Sequence, residues 1–337
     1  MYILENKNQP TPIEETTFAY LNMLERDIEE MLRLNIDMLC ETDEESMLIV
    51  GQQVRNEQNG RSDLTAIDNN GNIVLIEVKR DVNDIANRKE PFEFQAIRYA
   101  ASCATLKSTS ELVQNLFAPY VEKHRSEFTK EQNLTATEIA TRKLDEFIKQ
   151  CNITEFNEHQ KIVLVASGFD EQTISAVAWL NSNKVDISCY QIVPYRLNAE
   201  ILIDIKKILP IVQYDELYVD IANPSKENLQ KGKKTGITRR ALPKIDKMLE
   251  WGIVNAGDTI VAKGTTEEAL LQKDGKMLLS DGRAVSMQQW LKNVFGWSSV
   301  QTYAFAELKG SGKTLHQLRE EYMSLQEQQT AETGVEE

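Results

Sequence analysis

Residues 73–80, IVLIEVKR, constrain the fold more than any other stretch of this chain. The run is apolar enough for a protein interior, yet it carries Glu77 and Lys79 two positions apart. In a strand alternate side chains share a face, so Ile73, Leu75, Glu77 and Lys79 line one side, and its apolar half runs directly into two charges. Upstream, SDLTAID is a second strand-type run, separated from the first by the turn residues Asn69, Asn70 and Gly71. A three-residue hairpin loop with Gly71 in the left-handed position pairs Asp68 with Asn72 and sets Asp63 directly opposite Glu77. A two-residue loop would throw the two acids to opposite faces.

In the three-residue register the two carboxylates have Cβ atoms about 5 Å apart, which repels unless a cation is shared. Hard oxygen ligands on a semi-open site suit Mg²⁺, or Mn²⁺, which pairs with phosphate oxygens. Such an ion polarises a phosphodiester and acidifies a bound water, while Lys79 positions that water or stabilises developing negative charge.

The surrounding pattern is that of an α/β domain over residues 1–215. Residues 13–39 place Leu21, Leu24, Ile28, Met31 and Leu32 at helical spacing, so one or two amphipathic helices are expected there. The strand MLIVGQQV follows. Helical stretches run from Pro91 to Leu106 and on to about Gln150, and the strands KIVLVASG and DISCYQIVPYRL flank the helical piece DEQTISAVAWLNSN.

This first domain resembles the PD-(D/E)xK nuclease superfamily, in the branch with RecB-like and NucS-like members. The matching residues are Asp63, preceded by Ser62 where proline is usual, then Glu77 and Lys79, then Gln95 and Tyr99 in QAIRY. The resemblance implies a restriction-endonuclease-like core, a mixed sheet flanked by helices. It implies Asp63 and Glu77 as metal ligands, Lys79 as the catalytic lysine, and Gln95 and Tyr99 as supports near a DNA strand. It also implies an acid on an upstream helix, for which LERDIEEML offers Glu25 and Glu29, with Glu29 favoured.

The net charge is −14, but one segment is basic: between Lys226 and Lys247 there are eight Lys or Arg against two acids. Residues 216–239 are expected to be a basic linker, with Lys231, Lys233, Lys234 and Arg239, and Arg240 immediately after it, as phosphate contacts. Residues 240–323 are expected to form a small α+β domain. Its order of helix, GD, DGR, helix ending in Gly-Trp, aromatic segment and LxxLR resembles the RAMA domain, found beside restriction enzymes and adenine methylases. That resemblance implies DNA binding, with sensitivity to modified bases, and puts Trp297 among the candidate contacts. Residues 324–337 are polar, acidic and free of aromatics, and are expected to be a disordered tail.

KGSGKT at 309–314 echoes a phosphate-binding loop, but position 307, where the first glycine belongs, is Glu307, so no nucleotide triphosphate is expected. The four cysteines never form CxxC and sit among apolar neighbours, which favours reduced core residues. No run approaches the roughly 18 apolar residues of a membrane span, and no signal peptide is visible, so a cytoplasmic location is the expectation. Together these features lead to a Mg²⁺-dependent DNA nuclease in prokaryotic genome defence or restriction. A non-catalytic DNA-binding protein, or a nuclease for RNA or for branched or single-stranded DNA, is the alternative. A homodimer and further defence-system proteins remain open as partners.

Overall fold

The computed structural model describes residues 2–6, 8–40, 45–55, 61–81, 90–128, 133–211 and 242–333. The chain divides into two compact units, one over residues 1–41, 45–210 and 297–299, the other over 42–44, 211–296 and 300–337. The first is mixed α/β, with a mixed sheet flanked by helices; the second contains its own sheet.

The N-terminal segment begins as strands: β1 (Tyr2–Asn6) and β2 (Gln9–Pro12) form an antiparallel pair, and β3 (Glu14–Glu15) joins the main sheet. The helix expected over 13–39 is therefore shorter. It is α1 (Glu25–Leu34), followed by a 3₁₀ turn at Ile36–Leu39. Asp27 fixes its start by accepting from the Leu24 N–H at 2.7 Å.

The central strands are β4 (Met47–Arg55), β5 (Arg61–Asp68) and β6 (Ile73–Lys79). Then come α2 (Phe92–Cys103), a helical run α3 built from Thr109–Leu112, Val113–Phe117 and Ala118–Lys123, and α4 (Ala136–Cys151). β7 (Gln160–Ala166), α5 (Glu171–Ser182), β8 (Ile187–Leu197) and β9 (Glu200–Leu209) complete the unit. The sheet order is β3-β8-β7-β6-β5-β4, with β9 also paired to β8. β6 is antiparallel to β5 and parallel to β7, and every one of its residues is buried. That is why it reads as a near-continuous apolar run. The face bearing Leu75, Glu77 and Lys79 continues through Ile162, Leu164 and Ala166, and packs against Phe92, Ala96 and Tyr99 of α2 and Val177 of α5. The apolar half of the β6 face thus anchors the charged half.

The β5–β6 hairpin takes the three-residue loop. The Asp68 N–H donates to the Asn72 carbonyl at 3.0 Å, and Gly71 has φ +84°. The ladder pairs Leu64 with Ile76 and Ile67 with Ile73, and extending it places Asp63 opposite Glu77. Gly71 is needed twice over, because a Cβ there would lie 2.3 Å from the Glu155 carbonyl oxygen and 2.6 Å from Ile153 Cγ2. Gly71→Ala is expected to destabilise the protein by at least about 2 kcal/mol, measured by urea unfolding. An unchanged midpoint would show that the loop tolerates a side chain.

The second unit carries α6 (Ile245–Glu250), β10 (Thr259–Ala262), β11 (Glu268–Leu271), β12 (Met277–Leu278), β13 (Ala284–Val285) and α7 (Met287–Phe295). It ends with α8 (Thr302–Phe305), β14 (Ala306–Leu308), β15 (Lys313–Thr314) and α9 (Leu315–Thr333). Its strands order as β13-β12-β11-β10-β14-β15. Lys309–Gly312 turns the antiparallel β14–β15 pair, so the glycines of KGSGKT serve a hairpin. The aromatic segment forms a helical turn, α8. Tyr303 and Phe305 are buried there, with the Arg319 guanidinium 4.2 Å from the Tyr303 ring centroid.

α9 runs on to Thr333, into the segment expected to be a disordered tail, through Leu, Glu, Gln and Ala residues that favour helix. β9, unforeseen although ILIDIKKI alternates as a strand does, returns along β8 after a turn at Asn198, where φ is +56°. The basic linker, with Lys231, Lys233, Lys234 and Arg239, lies outside the described residues, as does Arg240. Among the described residues no helix is long and apolar enough to cross a membrane.

Candidate metal centre

Three elements meet at the charged end of β6. Asp63 enters from β5, Glu77 and Lys79 from β6, and Glu25 and Glu29 from α1. One carboxylate oxygen from each of Glu25, Glu29 and Asp63 lies within 4.8 Å of the other two, a cluster that could hold a metal ion. Glu25 and Glu29 were alternatives on sequence grounds; the structure brings both, because residues four apart share a helix face.

Asp63 is held from two sides. Its Oδ2 accepts from the Val78 N–H at 2.8 Å, and its Oδ1 accepts from the Gln53 side-chain amide at 3.2 Å. The same amide donates to Glu29 Oε2. Gln53 was not foreseen, although the signal was there: MLIVGQQVR turns polar in its second half, as IVLIEVKR does. Its neighbour Gln52 donates to Glu30 at 3.2 Å, so consecutive residues of β4 grip consecutive acids of α1. On its far side α1 is tied down by buried Arg33, which bonds Glu30 at 2.7 Å, Glu127 at 2.6 Å and the Tyr120 hydroxyl at 2.8 Å.

Lys79 is 2% exposed. Its ammonium is 2.7 Å from Glu25 and 3.7 Å from Asp63, and it also donates to the Val78 carbonyl. Burial works against its charge, but Asp63, Glu25 and Glu77 outweigh burial and hold its pKa above the usual lysine value. Lys79 is thus held in its charged form.

Glu77 is fully buried, at 0% exposure. Burial, followed by the charge of Asp63, pushes its carboxyl up to about 9. The same two causes raise Glu29 to about 7. Gln95 of α2 donates to Glu77 Oε2 at 3.4 Å, whereas Glu77 Oε1 has no hydrogen-bond partner among the described residues. The Glu77 carboxyl also lies within hydrogen-bond reach of Asp63, to which it donates when protonated. Tyr99, one turn after Gln95, sends its hydroxyl to accept from the Arg61 N–H at 2.5 Å, which secures the start of β5.

Four carboxylates therefore share one ammonium. The cluster fits a divalent cation, whose charge would balance the acids without protons. When bound, such a cation would acidify a water molecule. Around it Gln53 and Val78 orient Asp63, Gln95 contacts Glu77, and Lys79 places a positive charge beside Glu25 and Asp63.

Trp297, expected among the nucleic-acid contacts, is instead buried at 5% exposure and set edge-on to Phe147, with ring centroids 4.8 Å apart. It serves packing rather than base stacking. The cysteines are free, with Cys40 and Cys189 buried. No protein-family model matches this chain, and no curated protein matches it.

Proposed function

We propose that the first unit is a Mg²⁺- or Mn²⁺-dependent nuclease that hydrolyses phosphodiester bonds of DNA, and that the second unit helps to select the DNA. The observation that carries this reading is the convergence of Glu25, Glu29 and Asp63 oxygens within 4.8 Å of one another, beside the buried Lys79 ammonium. Three converging buried or half-buried acids suit a cation, and an ammonium beside them suits a phosphate. DNA as substrate rests on the resemblance of both units to DNA-acting families and on the basic segment between them. The pairing of the two kinds of unit points to genome defence or restriction.

Supercoiled plasmid, modified and unmodified, is the test substrate, with Mg²⁺ or Mn²⁺ and with EDTA. Wild-type protein is expected to cleave it only with metal, and Asp63→Ala is expected to leave it intact. Metal-dependent cleavage that survives both Asp63→Ala and Lys79→Ala would overturn the site. No cleavage of any nucleic acid would favour a DNA-binding protein that uses the same fold without catalysis.

A further inference from the structure

Gln53 occupies an unusual backbone position for its residue type. Between Ile49 and Gly51 the pairing of β4 with β5 shifts by one residue, and three positions later Gln53 has φ +57°, the left-handed region that favours glycine. Left-handed backbone at a residue with a long side chain persists only where its surroundings enforce it, and such positions cluster at functional sites. Here the conformation delivers the amide between two acids from different elements, donating to Glu29 Oε2 of α1 and to Asp63 Oδ1 of β5. One nitrogen thus fixes two of the three carboxylates whose oxygens converge within 4.8 Å. Beside Asp63 stands Glu77, at 0% exposure, whose Oε1 accepts from no donor among the described residues.

We propose that Gln53 is a positioning residue of the cation site, its amide holding the Glu29 and Asp63 carboxylates in the arrangement that accepts a divalent ion. The inference rests on the cation-site reading above, and goes beyond it by assigning a residue of β4 to the site. Groups that orient metal ligands through hydrogen bonds commonly alter affinity by about 10–100-fold when removed.

The test is Mn²⁺ binding to the full-length chain by electron paramagnetic resonance, beside thermal unfolding without metal. In Gln53→Gly the amide is lost while the left-handed backbone becomes easy, so the metal-free unfolding midpoint is expected to hold or rise. Mn²⁺ affinity is nonetheless expected to fall by at least about tenfold. That split separates positioning from structure, since a purely structural residue would move stability and leave the affinity of the folded protein alone. Gln53→Asn tolerates the same backbone but carries its amide one methylene short, and is expected to lose affinity similarly. It carries the test should the glycine variant fail to fold. Wild-type affinity in both variants would overturn the role of Gln53 while leaving the cation site intact. No Mn²⁺ binding by the wild type would overturn the cation site itself, and the inference with it.

Discussion

Replacing Lys79 by methionine is expected to lower the metal-free unfolding midpoint by about 10 °C and to abolish cleavage. The side chain is 2% exposed and its ammonium contacts Glu25 at 2.7 Å and Asp63 at 3.7 Å. Methionine keeps most of the volume but leaves the buried acids without their positive charge. Breaking a buried pair from one side costs roughly 3–5 kcal/mol, and in a domain of this size each kcal/mol moves the midpoint by roughly 2–4 °C. Excess Mn²⁺ is expected to restore more of the midpoint in the variant than it adds to the wild type, because it supplies the missing charge. Cleavage is still expected to fall by at least about 100-fold with Mn²⁺ bound, since the fixed cation beside the oxyanion is gone. A midpoint within about 2 °C of wild type would show that Lys79 is not the counter-charge of the cluster.

The second large effect is on pH. The Glu77 carboxyl is raised to about 9 and that of Glu29 to about 7, both from an ordinary 4.5. Because both folded-state values exceed the unfolded ones, the stability these groups contribute to the metal-free protein is fully present below the ordinary carboxylate range. It is lost as pH rises, through about 7 for Glu29 and about 9 for Glu77. A divalent ion must displace the same protons, so its affinity changes in the opposite sense. Between pH 7 and 9, where Glu77 alone still holds its proton, Mn²⁺ affinity is expected to rise about tenfold per pH unit, and more steeply below 7. Glu77→Gln copies the protonated acid. It is expected to flatten the upper slope and, at pH 9, to make the metal-free protein more stable than wild type. Calorimetric titration in buffers of different ionisation enthalpy counts the released protons directly; a flat wild-type profile from pH 7 to 9 would contradict the assignment.

Local chemistry made much of this site legible in the sequence. The register that sets Asp63 against Glu77 follows from Asn69, Asn70 and Gly71, because loop length and the left-handed glycine decide the pairing. The burial of the β6 face follows from its aliphatic half. The choice between Glu25 and Glu29 was not legible, since the rotation of α1 against the sheet depends on Arg33 bonding Glu127 and Tyr120, distant in sequence. Gln53 was hidden for a similar reason: its role needs a shift in strand pairing and a left-handed backbone that glutamine does not advertise. Trp297 misled because an aromatic residue after a glycine reads equally as stacking platform or as core, and only packing decides.

The most direct measurement is the anomalous diffraction of crystals of the full chain grown with Mn²⁺. The expected result is a single strong peak bounded by the carboxylates of Asp63, Glu29 and Glu25, within reach of Glu77. Absence of any peak there at saturating Mn²⁺, with Glu77 Oε1 satisfied by some other group, would contradict the divalent-cation centre on which the nuclease reading stands.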